Sequence, residues 1–323
     1  MINRPKISVV IPVFNMEPHL VESIGSVMRQ TFKDLEVICI DDGSTDNSLG
    51  VLRELQLQDS RLRVFALPRN LSESQARKKG VFASQGEVVM FLDADDSFAL
   101  DACDKVWAHM SQGTIDILHF GTTVINQTAF FESLVLKIQK KISPWLSLII
   151  GDLVVACFQD ERFSHTLWNK AFRGDLTRMS FNAIRDGKFP YAADLYAAFI
   201  LFYYSRNYFG IPDHLLNYNY GYGISGQRVY DLLTFERFCE ASRVSDAISE
   251  FISSRDDSIK YLNLVTNIRR KLLEDVFGRW LNKLAECDRD VGLDLLKKNW
   301  REEELNWLLV SHQSKYPWIK NYL

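Results

Sequence analysis

Four short apolar segments, each followed by a polar turn and then by helical spacing, occupy the first 95 residues and leave few folds open. "KISVVIPV" (6–13), the start of "LEVICIDDGSTDNS" (35–48), "LRVFALP" (62–68) and "EVVMFLDADD" (87–96) carry runs of β-branched and apolar residues. Runs of that kind suit strands buried on both faces of a parallel sheet. Between them, "PHLVESIGSVMRQTF" sets Leu20, Ile24, Val27 and Met28 at helical spacing, and "SLGVLRELQLQ" reads as a second helix. "SESQARKKGVFASQG" reads as a third, with Gly86 as its C-terminal cap. This alternation predicts an α/β fold, a Rossmann-like, mostly parallel sheet flanked by helices. From 111 to 230 the pattern loosens, with a strand in "IDILHFGTTV" and helices in "PWLSLIIGDLV" and "ADLYAAFILFYYS". From Asp231 only helices are expected. The expected organisation is an α/β half over 1–110, a second half of the same domain over 111–230, and a C-terminal helical region over 231–323.

A net charge of −3 over 323 residues supplies no dominant basic field, so nucleic acid is not the expected partner. The five cysteines, Cys39, Cys103, Cys157, Cys239 and Cys287, show no metal-ligand spacing and read as free thiols. The apolar run in "MINRPKISVVIPVF" is too short for a signal peptide. "SLIIGDLVVACF" and "AAFILFYY" are too short or too interrupted to span a bilayer. The expected location is the cytoplasm.

In open α/β sheets, ligands bind beyond the carboxyl ends of the strands. Three marked segments fall there: Pro12–Asn15, Asp41–Asp46 and Asp93–Asp96. In "FLDADD" the alternation of an extended chain puts Asp93 and Asp95 on one face, with Cα atoms about 6.5 Å apart. Carboxylates so placed repel one another and call for a positive partner. A hard divalent cation fits, because it takes carboxylate oxygens and completes its shell with water and phosphate oxygens. Ser44 and Asp46 read as helix caps.

"ISVVIPVFN", "IDDGSTDNS", "SQARKKG" and "FLDADD" occur in the order and approximate spacing of family 2 glycosyltransferases of the GT-A fold, which this chain resembles over residues 5–105 and more weakly to about 230. The resemblance implies a nucleotide-sugar-binding half over 1–110 and an acceptor-binding half over 111–230. It implies that Pro12, Val13 and Phe14 line a nucleobase pocket and that Asp42, with Asp41, accepts a hydrogen bond from the base, which suits uracil. Asn15, Ser44 and Ala94 belong to the same implied nucleotide-sugar set, and Arg77 would approach the diphosphate. Asp93 and Asp95 resemble the family's DxD motif, with Asp95 as the direct metal ligand, Asp93 nearer the ribose or a metal-bound water, and Mn2+ or Mg2+ as cofactor. The expected activity is an inverting transfer from a UDP-sugar to a saccharide or glycolipid hydroxyl in the synthesis of bacterial polysaccharide or lipopolysaccharide.

Inversion needs a base, and Asp194 in "FPYAADLYAAF" is the candidate, although it also sits where an N-cap would sit. Relatives often carry Glu-Asp there, where this chain has Ala193-Asp194. "LWNKAF" resembles a stretch near the family's acceptor pocket and adds Trp168, Asn169 and Lys170. Where relatives have a His after the last core strand, this chain has "NYNYGYGISGQ", which offers Tyr220, Ser225 and Arg228 as phosphate contacts. Its "GYGISG" has dinucleotide-fingerprint spacing, but only helices follow, so it reads as a loop or lid. Two other readings stay open: a haloacid-dehalogenase-like phosphatase with Asp93 as nucleophile, and a non-catalytic sugar-nucleotide binder. "RRKLLEDVFGRWLNKL" sets basic residues around an apolar face, which suggests peripheral contact of the C-terminal helices with the inner membrane face.

Overall fold

The computed structural model describes residues 4–126, 132–221 and 229–322. The chain divides into two compact units, Met1–Lys188 with Ala197–Gly226, and Phe189–Tyr196 with Gln227–Leu323.

In the first unit β1 (Ile7–Val13), β2 (Leu35–Asp41), β3 (Leu62–Ala66) and β4 (Val88–Phe91) are parallel neighbours in the order β3-β2-β1-β4. All of β1, β2 and β4 is buried, which explains why these segments are apolar without alternation. Ile7, Val9, Ile11 and Val13 join the core that also holds Leu20, Ile24 and Val27 of α1 (Leu20–Met28) and Leu52 of α2 (Ser48–Gln58). Ala76 of α3 (Glu73–Ala83) packs with Ile38 and Ile40 in a separate cluster. Gly86 is not the cap of α3. The helix ends at Ala83, and Gly86 donates its N–H to Ser8 Oγ at 2.8 Å in a contact where a Cβ would lie 2.6 Å from the Ser8 nitrogen.

The rest of the sheet is mixed. β8 (Lys170–Arg173) runs antiparallel to β4 and to β6 (Ile117–Asn126), and β9 (Asn207–Tyr220) runs parallel to β6. β5 (Ser97–Phe98) and β7 (Leu148–Ile150) pair antiparallel with β9, completing nine strands. The expected helix "PWLSLIIGDLV" is therefore corrected: its first half pairs with Asn207–Phe209 as β7, and a helix, α6 (Leu153–Phe158), starts only where Asp152 caps it by accepting from the Val155 N–H at 3.0 Å. α4 (Ala102–Met110), α5 (Glu132–Ile142) and α7 (Gly174–Ala183) complete the helices that flank the sheet, and α8 (Ala193–Tyr204) belongs to this unit from Ala197 onward.

The second unit is helical: α9 (Leu232–Cys239), α10 (Ser242–Ser253), α11 (Ser258–Asn282), α12 (Arg289–Asn299) and α13 (Glu302–His312). Leu272, Leu273, Val276, Phe277 and Trp280 of α11 are buried, and the Trp280 ring lies 5.4 Å from that of Trp318. The apolar face of "RRKLLEDVFGRWLNKL" is thus the core of this unit, which corrects the expectation that it meets a membrane. No helix among the described residues is long and apolar enough to cross one.

Candidate active site

The loops after β1 and β2 are tied together by side chains at their tips. Asn15 takes a left-handed conformation (φ 54°), donates its N–H to Ser44 Oγ at 3.0 Å and accepts the Thr45 N–H on Oδ1 at 2.8 Å. The Met16 N–H donates to Ser48 Oγ at 2.8 Å and the Glu17 N–H to Asp46 Oδ2 at 3.2 Å. Ser44 is therefore a clasp residue, whereas Asp46 both joins the clasp and caps α2 from the position before Asn47, accepting the N–H of Ser48 on Oδ1 at 3.0 Å. Pro12 and Val13 are buried at the end of β1, and Phe14 beyond them is 40% exposed.

Asp41 and Asp42 are both buried, with different duties. Asp42 accepts the Leu71 N–H on Oδ1 at 2.7 Å and the Ser72 N–H on Oδ2 at 3.0 Å. Burial pushes its carboxyl up, and these two donors offset part of that rise. Asp42 thus anchors the loop between β3 and α3. Gly43 (φ +70°) makes the approach possible, because a Cβ there would lie 2.5 Å from the Arg69 carbonyl carbon. Asp41 Oδ2 accepts the Ser44 N–H at 3.4 Å, and its buried Oδ1 has no hydrogen-bond partner.

After β4, Asp93 Oδ1 receives Arg77 Nη2 at 2.7 Å, and Arg77, 2% exposed on α3, also pairs with Glu73. A protein cation therefore sits on the first aspartate of "DADD". Ala94, between Asp93 and Asp95, is buried in the hydrophobic core. Burial, then the nearby Asp93 charge, raise the Asp95 carboxyl to about 6. Asp96 is 1% exposed, accepts the Asn219 N–H on Oδ1 at 2.8 Å and leaves Oδ2 without a partner. Burial, then the charges of Asp93 and Asp95, raise its carboxyl to about 9. Asn219 Nδ2 also donates to the Asp95 carbonyl at 2.6 Å, which pins the motif to β9. A cavity of about 350 Å3 opens between His19 and Glu22 at the start of α1 and Asp95, Asp96 and Asn219. Asn219 was not singled out from sequence, although the alternation of "NYNY" puts Asn217 and Asn219 on one face.

Among the described residues no group of three or more His, Cys, Asp and Glu side chains converges as a metal site. The donor set still fits a hard divalent cation held by few protein ligands, because Asp95 is a partly buried carboxylate pressed by its neighbour's negative charge, and no lysine or arginine among the described residues pairs with it.

Asp194 belongs to the second unit, in the first turn of α8. It is not the N-cap, because the first backbone bonds run from Leu195 and Tyr196 to the Ala192 carbonyl, and Ala192 has φ 58°. Trp168 stacks on Tyr218 at 5.0 Å. Asn169 and Lys170 have no exposed surface. Lys170 Nζ donates to the Thr166 carbonyl at 2.8 Å and to Asn169 Oδ1 at 3.0 Å, while Asn169 Nδ2 donates to the Ile142 carbonyl at 2.9 Å. These two side chains hold the interior and do not reach an acceptor, which corrects that expectation. Tyr220 ends β9, whereas Ser225, Arg228 and residues 222–226 of the "GYGISG" loop lie outside the described residues.

A sheet with carboxylates at the ends of β2 and β4, beside the loop after β1, is the kind of strand-end crevice in which α/β proteins bind ligands, and its architecture is that of the GT-A class. Residues 8–184 match the model described as Glycosyl transferase family 2, more than half of the chain, and the chain belongs to that family. The membership sets the phosphatase reading aside. Over 199 residues it is 30% identical to the GalNAc(5)-diNAcBac-PP-undecaprenol beta-1,3-glucosyltransferase of Campylobacter jejuni, covering 57% of this chain and 62% of that one. The chain spans less than two thirds of its curated relatives, 47%, 37% and 34% of three other bacterial glycosyltransferases. The structure of S. aureus TarS 1-349 in complex with UDP superposes with TM-score 0.63 at 18% identity, over 98% of this chain and 89% of that one. The mannosyltransferase PcManGT of Pyrobaculum calidifontis, in complex with GDP-Man and Mn2+, superposes with TM-score 0.52 at 14% identity, over 99% of this chain and 83% of that one. At such identities these two likenesses speak for the fold alone.

Proposed function

We propose that this chain is a divalent-metal-dependent, inverting transferase that moves a sugar from a nucleotide donor, a UDP-sugar, to a hydroxyl of a saccharide acceptor. The observation that carries the reading is the place of Asp95, which lines the cavity beside His19 and Asn219 next to an Asp93 already held by Arg77, with no lysine or arginine on Asp95 among the described residues. Asp95 would hold the ion, with Asp93 beside it. When bound, the ion supplies positive charge against the departing diphosphate. The names of the similar proteins, which mention UDP, GDP-Man with Mn2+ and an undecaprenol-linked saccharide, support a nucleotide-sugar donor and a lipid-linked acceptor.

Phe14 offers its exposed ring to the base. Asp41, whose Oδ1 has no partner, is the better acceptor for the base N–H than Asp42, whose oxygens already hold the loop after β3. Asp194 is the proposed base. As the acceptor oxygen forms its bond to the anomeric carbon, the bond to the diphosphate oxygen breaks on the opposite face, and the hydroxyl proton passes to the carboxylate.

Titration calorimetry with UDP, with and without Mn2+, tests the reading. Wild-type protein should bind UDP at least tenfold more tightly with Mn2+, and Asp95→Asn should abolish that difference. Asp194→Asn should bind UDP normally and lose transfer by a factor of at least about a hundred, in the range of a general base. Equal UDP affinity with and without the metal would refute the metal assignment, and undiminished transfer by Asp194→Asn would remove it as base.

A further inference from the structure

Among the described residues nineteen large hydrophobic side chains are exposed, and most are scattered singly, which is ordinary for a protein surface. Five of them fall within one fifteen-residue stretch of the first unit: Leu136 (67%), Trp145 (46%), Leu146 (61%), Leu148 (52%) and Ile150 (72%). The stretch runs from α5 through Ser143-Pro144 into β7, an edge strand whose Leu148 and Ile150 point outward while Ile149 points in. The same stretch carries Lys137, Lys140 and Lys141, all exposed and without an ion pair among the described residues. From Ser133 to Gly151 there is no Asp or Glu.

We infer that this α5–β7 segment is a membrane-docking surface whose partner is a bilayer bearing anionic headgroups. Three observations select that partner. Lysines next to a tryptophan and long aliphatic chains match the boundary between headgroups and acyl chains, where Trp settles and Lys meets phosphate. Unopposed positive charge is complementary to an anionic lipid surface, each lysine being worth about a factor of five in partition. A second copy of this chain docked by the same patch would set three lysines against three, which disfavours a dimer there. The inference does not depend on which nucleotide or acceptor the site takes. The surface lies at the sheet edge formed by β7, not on the "RRKLLEDVFGRWLNKL" face of α11, which is internal.

Vesicle flotation with the full chain tests it, comparing phosphatidylcholine alone with phosphatidylcholine containing one third phosphatidylglycerol. Wild-type protein should float only with the anionic vesicles and be released by high salt. Lys137→Gln, Lys140→Gln and Lys141→Gln combined should lower partition about a hundredfold with an unchanged melting temperature. Leu146→Ser with Ile150→Ser should also lose flotation. Should that pair fail to fold, the lysine variant still decides. No preference of wild-type protein for anionic vesicles, or wild-type flotation by the lysine variant, would overturn the assignment. So would a dimer in sedimentation equilibrium that Ile150→Ser dissolves, since the partner would then be a second copy.

Discussion

Asn169 and Lys170 show how a polar pair can be entirely structural. Thr166 Oγ1 donates to Asn169 Oδ1 at 2.6 Å, and Asn169 Nδ2 meets His119 Nε2 at 2.9 Å, while His119 Nδ1 lies 2.9 Å from the Tyr208 hydroxyl. Burial, with the Lys170 charge close by, lowers the His119 pKa well below its ordinary value, so the ring stays neutral. Asn169→Leu keeps the branching and heavy-atom count of the side chain but deprives Thr166, Lys170 and the Ile142 carbonyl of a partner. The expected cost is about 3 kcal/mol, read as a lower urea midpoint, because buried polar groups left unsatisfied carry their full desolvation penalty. UDP affinity measured below the transition should not change. An acceptor-binding role would give the reverse: normal stability and a raised acceptor KM. Sequence could not separate these outcomes. Lysine is almost never fully buried, so "LWNKAF" reads as accessible. Its burial follows from the position of β8 between β4 and β6, a strand order that no local pattern encodes.

Among the elements, β1, β2 and β4 were legible because a strand buried on both faces is apolar along most of its length, and β3, whose burial alternates, was legible as a short apolar run between two helices. β7 was not, since a short apolar run serves a strand or a helix equally well and pairing with the distant β9 decides between them. The acidic turns were legible as a site, but their division of labour was not. That Asp42 serves the loop before α3 and Asp41 does not depends on where Leu71 and Ser72 arrive in space. Gly43 is the hinge of that arrangement, and a pair of substitutions tests it. Gly43→Ala must accept φ +70° and a clash with the Arg69 backbone, whereas Gly113→Ala meets φ +69° with nothing within 4 Å. Gly113→Ala should therefore cost only about 1 kcal/mol, the price of the left-handed backbone. Gly43→Ala should cost about 3 kcal/mol through the added steric strain, and should weaken UDP binding as the loop shifts. Equal melting temperatures for the two variants would show that the loop contact does not matter.

Over the whole molecule, charge is arranged differently in the two units. The first gathers Asp93, Asp95 and Asp96 at the end of one strand, where burial and mutual repulsion raise two of the three carboxyls, an arrangement that favours ligand over stability. The second pairs partly buried charges in an ion-pair cluster. Arg269 donates from Nε to Glu304 Oε1 at 2.7 Å and from Nη2 to Oε2 at 3.1 Å, and reaches Asp246 at 2.8 Å from Nη1. Burial pushes the Glu304 carboxyl up, but the Arg269 bonds and charge outweigh it and hold it below its ordinary 4.5. A carboxyl depressed in the folded state contributes stability that is fully present above its unfolded pKa and lost as pH falls through the folded value. Glu304→Gln should therefore cost about 1 kcal/mol at pH 7, a figure discounted for partial exposure. The difference from wild type should shrink below about pH 4.5 and vanish once the folded pKa is passed. Tryptophan fluorescence in urea is the suitable probe, because four of the seven tryptophans, Trp280, Trp300, Trp307 and Trp318, lie in this unit. A gap between Glu304→Gln and wild type that stays constant from pH 7 to pH 3 would mean that Glu304 acts through packing and not through its charge.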